Sequence, residues 1–369
     1  MNAKAVVADQ PALYPQPRDN PQFTGHDGAE KILLDAFNGK RLPHAWLITG
    51  QRGIGKATLA YRFARHVLSV GGEASSLFGD SAPVSDMYVA PTDPVFLRMA
   101  SHGHADFLSI EPTVNAKTKK MRTEIVIDDV RAIGGFFSLT PAEGGWRVVV
   151  IDSADEMNRN AANAVLKALE EPPKKALILL VSHAPGRLLP TLRSRCRKLA
   201  LKPLADDTVE VLLKNAYPEL PPQDALELAH LSDGSIGRAL ELQDQGGLVL
   251  YRELMTLLGS LPDLDISALH TLAAKIGKAG ADRAFITFGD LLRAWLGRLI
   301  LSLSKGGGAG DTEQVLFDRL ATLGSLDRWL EVWDKSNHLL ARTDAINLDR
   351  RQVTIQILLA LATAARQTP

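Results

Sequence analysis

At 369 residues the chain exceeds what a single hydrophobic core ordinarily organises, so two or three domains are expected. Hydrophobic residues at 46% and charged residues at 23% are ordinary for a globular protein. The 42 basic side chains balance 42 acidic ones, which excludes an overall electrostatic pull toward nucleic acid or an anionic membrane. A single cysteine, Cys196, excludes an internal disulfide and a cysteine-based metal cage, and it suits a reducing cytoplasm.

Residues 1–20 contain several prolines and no apolar run of signal-peptide length, and read as a mobile leader. No stretch approaches the roughly 18 apolar residues that a membrane span needs. Four short runs follow: AWLIT (Ala45–Thr49), DFLSI (Asp106–Ile110), RVVVI (Arg147–Ile151) and ALILLV (Ala176–Val181). Their apolar character is continuous rather than alternating, which predicts strands buried on both faces, as in a parallel sheet. Helical patterns separate them. KATLAYRFARHVL puts Leu59, Phe63 and Val67 on one face, and IDDVRAIGGFFSL is expected to start after Asp128 or Asp129 as a cap. NRNAANAVLKALEE aligns Ala161, Val165 and Leu169 and must stop at Pro172-Pro173. The alternation predicts a doubly wound α/β domain over residues 21–203, with an irregular insertion at 70–103. Beyond Pro203 the pattern is helical throughout: a small helical domain over 204–246, then a longer one over 247–369, broken by a turn at Ser304–Asp311. Its last helix is expected to be capped by Asn347 or Asp349, with Val353, Ile357, Leu358, Leu361 and Ala362 on one apolar face.

The segment GQRGIGKATLA, Gly50–Ala60, lies between a predicted buried strand and a predicted helix. Gly50, Gly53 and Gly55 allow backbone N–H groups to turn inward around phosphates, and Lys56 is in position to reach the outer ones. The alternative is a glycine-rich turn before an ordinary helix. The residue after the lysine is normally Ser or Thr, whose hydroxyl holds Mg²⁺. Here it is Ala57, and Thr58 comes one residue late, turned by about 100° on the helix. A second element, VVVIDSADEMN, ends a strand at Asp152, suited to supporting Mg²⁺ or simply to capping the next segment. Ser153 follows where a hydrolytic site would place a carboxylate base, and Asp155 and Glu156 lie too far along to replace it. With two parts missing, Lys56 and the loop retain the means to hold ATP or ADP weakly, without hydrolysis.

LPHAWLITGQRGIGKATLA, NAVLKALEEPP and LLPTLRSRCRKLAL occur in this order, and the chain from about Phe23 to Ala205 resembles the clamp-loader branch of the AAA+ ATPases. The resemblance implies an AAA+ α/β domain, a helical lid, and an all-α collar that holds subunits together. It implies assembly with motor (gamma/tau) and clamp-opening (delta) subunits, and a sliding clamp and primed DNA as the targets of the assembled complex. By the same resemblance Arg195, in Ser-Arg-Cys at 194–196, is an arginine finger acting in trans on a neighbour's nucleotide. The plain reading of Arg195 is a solvated member of the basic run RSRCRK. Cys196 reads as a small buried residue. Ser182 and His183 fall where such proteins sense the γ-phosphate. Gly237 stands where a motor subunit carries a phosphate-touching arginine, with Arg238 one residue late. The insertion has no cysteines for a zinc module, and His102 and His104 alone make a poor site, so no metal is expected. The reading is a non-motor subunit with little or no ATPase activity of its own. The alternatives are a gamma/tau-like motor, which would need a hydroxyl at 57 and Glu at 153, and a small-molecule kinase, which would leave the LKALEEPP and SRC motifs unexplained.

Overall fold

The computed structural model describes residues 14–39, 41–70, 86–112, 122, 124–143, 145–278, 280–305, 311–346 and 348–366. Residues 1–13 of the expected leader, 71–85 of the expected insertion, 306–310 of the expected turn and Asn347 lie outside the described residues. The chain divides into two compact units, residues 1–238 and 239–369.

The first unit holds α1 (Asp27–Asn38), β1 (Ala45–Thr49), α2 (Lys56–Val70), α3 (Pro94–Ala100), β2 (Phe107–Ile110), α4 (Ile127–Ser138), β3 (Arg147–Ile151), α5 (Arg159–Glu170), β4 (Ala176–Ser182), α6 (Pro190–Arg195) and β5 (Arg197–Ala200). It continues with α7 (Asp206–Ala216), α8 (Pro222–Leu231) and the start of α9 (Ile236–Asp244). The strands form one parallel sheet in the order β2-β3-β4-β1-β5. This is the parallel α/β architecture with helices on both faces expected from the sequence, with a helical continuation. Because strand side chains alternate between faces, the continuous apolar runs serve two cores. Trp46, Ile48, Val148, Val150, Leu177 and Leu179 pack with Leu59, Phe63 and Val67 of α2. Leu47, Val149, Ile151, Ile178 and Leu180 pack on the other face with Val130, Ile133, Ala161, Val165 and Leu169 of α4 and α5. Each such fully buried aliphatic side chain contributes about 1.5–3 kcal/mol.

Four expectations need correction. The insertion expected to be irregular over 70–103 holds a helix, α3, whose cap Asp93 accepts the Val95 N–H at 2.7 Å ahead of Pro94 at its first turn. The strand β5 was not foreseen: RKLA is short and polar, and only Leu199 of its residues is buried. It sits at the sheet edge, where charged side chains face solvent without cost. Helix α4 starts at Ile127, before either expected cap, and the Asp129 carboxylate instead accepts the Val126 N–H at 3.0 Å. Finally, residues 14–20 are tied down rather than free. Arg65, buried in α2, donates to the carbonyls of Arg18 at 2.6 Å and Asn20 at 2.7 Å. Helix α5 follows its sequence signals closely, with Asn158 accepting the Ala161 N–H at 3.0 Å and the helix stopping at Glu170, ahead of the two prolines.

The second unit contains α10 (Gly247–Gly259), α11 (Ile266–Ile276), α12 (Asp282–Lys305), α13 (Asp311–Leu323), α14 (Leu326–Ile346) and α15 (Arg350–Arg366). Asp349 caps α15, accepting the Arg351 N–H at 2.8 Å, and the expected face of Val353, Ile357, Leu358, Leu361 and Ala362 is buried. A polar knot lies inside the helices. Glu313 accepts the Tyr251 hydroxyl at 2.7 Å and two Arg298 N–H groups at 2.8 and 2.7 Å. No helix among the described residues is long and apolar enough to cross a membrane.

Candidate functional site

The end of β1 turns through the glycine-rich loop into α2, as the sequence predicts. Gly50, Gly53 and Gly55 have φ of +148°, +77° and +98°, the left-handed side of backbone space that favours glycine. Lys56 is buried at the start of α2, and its ammonium group donates to the carbonyl of Gln51 at 2.5 Å. Burial drives its pKa down from 10.5 to about 8, opposed by the nearby Asp152 and Asp155 carboxylates. The carbonyl of Ile54 meets His26 Nε2 at 2.8 Å, and the Phe23 ring lies beside Gly55.

The start of α9 closes over the other side of the loop. The Ser235 hydroxyl donates to the Arg52 carbonyl at 2.8 Å, and the Gly237 N–H donates to the Gly53 carbonyl at 2.9 Å. The two backbones touch so closely that a Cβ on Gly237 would lie 2.8 Å from the Gly53 Cα. Four successive loop carbonyls, from Gln51 to Ile54, thus have partners from this chain. No arginine fits at position 237, and Arg238 points its guanidinium to Asp233 at 2.8 Å.

Asp152 directly follows β3, and its carboxyl pKa is raised above the usual range by burial first and by the Glu111 charge second. Glu111 accepts the Tyr61 hydroxyl at 2.7 Å and pairs with Arg18 at 3.3 Å. Ser153 has φ +55° and donates its N–H to Asp152 at 2.8 Å, a turn rather than a place for a base. Asp155 accepts the His183 N–H at 3.0 Å and lies 3.1 Å from His183 Nε2. Ser182 is fully buried at the end of β4, and its hydroxyl has no hydrogen-bond partner among the described residues. Ala57 packs against the α2-side core, and Thr58 is half-buried in the first turn of α2. The metal hydroxyl is missing at Ala57, Lys56 engages the loop itself, and backbone from α9 stands against Gly53.

Arg195 lies apart from the loop, as the last residue of α6. It is about one-third exposed, pairs with Glu170 at 2.7 Å and donates to the Thr191 carbonyl at 3.0 Å. It is therefore neither buried nor a free solvated arginine. Arg197, in the same basic run, stacks over Trp46 with its guanidinium 4.9 Å from the ring centroid. Cys196 is buried, which pushes its thiol up to about 11. His102 and His104 are engaged elsewhere, by Arg18 and by the Asp106 N–H, and no group of three or more metal-ligating side chains occurs among the described residues. Sequence reasoning missed Glu111, Ser235 and Glu170. Glu170 sits inside LKALEEPP, so its signal was on the page without its partner.

A family model described as "DNA polymerase III, delta subunit" matches residues 25–205, about half the chain. Over that span the chain is similar to this family. The chain is 37% identical over 204 residues to the DNA polymerase III subunit delta' of Pseudomonas aeruginosa, covering 55% of this chain and 56% of that protein. It is 30% identical over 212 residues to the Bacillus subtilis delta' subunit, covering 58% and 57%. The tau subunit of Escherichia coli matches at 30% over 249 residues, 64% of this chain and 35% of tau. The chain thus spans little more than half the length of the delta' relatives it matches. Among solved structures, a Thermotoga maritima protein related to the DNA polymerase III gamma subunit covers 90% of this chain at 20% identity and a TM-score of 0.36. The RuvB Holliday junction branch migration motor of that organism covers 86% at 18% identity and a TM-score of 0.40.

Proposed function

We propose that this chain is a non-motor subunit of a DNA polymerase III clamp loader, which holds its own phosphate loop closed and donates Arg195 to a neighbour's nucleotide site. Similarity to the DNA polymerase III family model supports the complex, and similarity to delta' relatives supports the place within it. The observation that carries the non-motor reading is the contact of Gly237 with Gly53, beside a loop that already lacks its metal hydroxyl. Nucleotide binding at this loop is weak and unproductive. The motor alternative needs that contact broken and two residues changed.

Arg195 supplies what the loop does not. A guanidinium reaching across a subunit boundary pairs with γ-phosphate oxygens and stabilises charge that develops as the phosphoryl group departs, worth about 10³–10⁵ in rate in well-studied GTPases. Its exposure at the end of α6 leaves it accessible to such a neighbour. The motor subunits, the clamp-opening subunit, the sliding clamp and primed DNA are the partners this reading requires, in the cytoplasm. The test is co-purification of the full chain with motor and clamp-opening subunits, followed by ATP turnover with and without it. The expected result is no turnover from this chain alone and stimulated turnover from the complex containing it. Turnover by the isolated chain that Lys56→Ala abolishes would return it to the motors.

A further inference from the structure

Two motifs mark this sequence most sharply, LKALEEPP and SRC, and the function just proposed uses only the second. In the fold the two meet. Glu170, in the first, pairs with Arg195, in the second, at 2.7 Å. The prolines at 172 and 173 force α5 to stop, which makes Glu170 its last residue. A carboxylate at a helix C-terminus is disfavoured by the backbone dipole, so Glu170 alone sits at an adverse position. A guanidinium beside it answers both the carboxylate and the dipole. The same helix end is fixed to the segment leading into β1, where His44 Nε2 meets the Leu169 carbonyl at 3.1 Å.

Arg195 is itself at the end of α6, and its second anchor is the Thr191 carbonyl, one turn back, at 3.0 Å. Glu170 takes one terminal nitrogen and Thr191 the other. A guanidinium has five N–H donors, so most of its fork remains for an incoming anion after these two contacts. The two side chains are 36% and 49% exposed, so the pair orients the arginine without burying it.

We propose that Glu170 is a positioning residue for Arg195, fixing the guanidinium at the subunit surface before the neighbour's nucleotide meets it. The proposal rests on the reading of Arg195 as a trans-acting arginine. It also gives the two motifs a common reason: the proline stop sets Glu170 at the end of one helix, where the arginine at the end of the next can reach it. An exposed ion pair of this kind biases a side chain by roughly fivefold at most, so a phosphate competes for the arginine easily. Glu170 therefore aims Arg195 without locking it.

The experiment is DNA-stimulated ATP turnover by the reconstituted complex carrying Arg195→Ala, Glu170→Ala, Glu170→Gln or the double alanine variant. Arg195→Ala is expected to lower turnover strongly at the site it serves. Glu170→Ala is expected to lower kcat about three- to fivefold with KM for ATP unchanged, the range an exposed pair allows. Glu170→Gln is expected to recover part of the loss, because its amide oxygen still accepts a hydrogen bond. In the Arg195→Ala background, Glu170→Ala is expected to have no further effect. If Arg195→Ala lowers turnover while Glu170→Ala leaves it unchanged or raises it, the positioning role is wrong and the trans-acting arginine stands. If the two losses multiply in the double variant, Glu170 acts structurally and the proposal also falls. If Arg195→Ala changes nothing, both readings fall together.

Discussion

Replacing Gly53 with alanine tests how firmly the loop is closed. Gly53 has φ +77°, a conformation that costs an L-residue about 1–2 kcal/mol. The added Cβ would also lie 2.4 Å from the Ser235 hydroxyl and 3.1 Å from the Gly237 Cα. Ser235 must then swing away, losing its 2.8 Å hydrogen bond to the Arg52 carbonyl, and the 2.9 Å bond from the Gly237 N–H must stretch. Two such bonds are worth about 1 kcal/mol each, so the total loss comes to about 3–4 kcal/mol. Gly246→Ala is the control. Gly246 has φ +65° but open space around its missing Cβ, so only the backbone strain of about 1–2 kcal/mol should appear. Denaturant unfolding of the full chain measures both, and amide exchange at Gly237 should quicken in Gly53→Ala alone. Equal losses in the two variants, with exchange at Gly237 unaltered, would refute the claim that α9 presses on the loop.

Lys56 should destabilise the fold at neutral pH, because burial lowers its pKa from 10.5 to about 8. The unfolded chain binds the extra proton between those values, so stability rises with pH from about 8 to 10.5 and the penalty is fully present below 8. Lys56→Met should therefore raise unfolding stability at pH 7 by on the order of 2 kcal/mol, after allowance for the lost Gln51 bond, with the advantage fading toward pH 10.5. Equal gains at every pH would contradict the assignment. In the second unit, Glu313→Ala should cost about 3 kcal/mol or more in a denaturant titration, because it takes the carboxylate from the largely buried Arg298 and from Tyr251. A loss under about 1 kcal/mol would mean that this knot adds little to the helical unit.

The central strands were legible because burial on both faces writes a continuous apolar run, and AWLIT and RVVVI match β1 and β3 residue for residue. Helix α5 was legible because its cap at Asn158 and its stop at Pro172 are local signals. Strand β5 was not, because an edge strand with exposed Arg197 and Lys198 carries no apolar period. The chemistry divided along the same line. Missing groups at positions 57 and 153 can be read from the chain itself. The closure of the loop depends on Ser235 meeting Arg52 across 183 positions, and the pairing of Glu170 with Arg195 joins two helix ends; local pattern encodes neither contact. The first lies in a lid expected to be a separate domain, whereas α7, α8 and the start of α9 belong to the same compact unit as the sheet. Backbone bonds such as Leu204 N–H to the Gly234 carbonyl at 2.9 Å help to hold that unit together.

Under the proposed function, this chain's chemistry is exerted on a neighbour's nucleotide and not on its own. ATP turnover by the reconstituted complex, with Lys56→Ala and Arg195→Ala compared side by side, tests it most directly. The expected result is unchanged turnover with Lys56→Ala and a strong loss with Arg195→Ala at the site it serves. A loss with Lys56→Ala together with normal turnover for Arg195→Ala would contradict it.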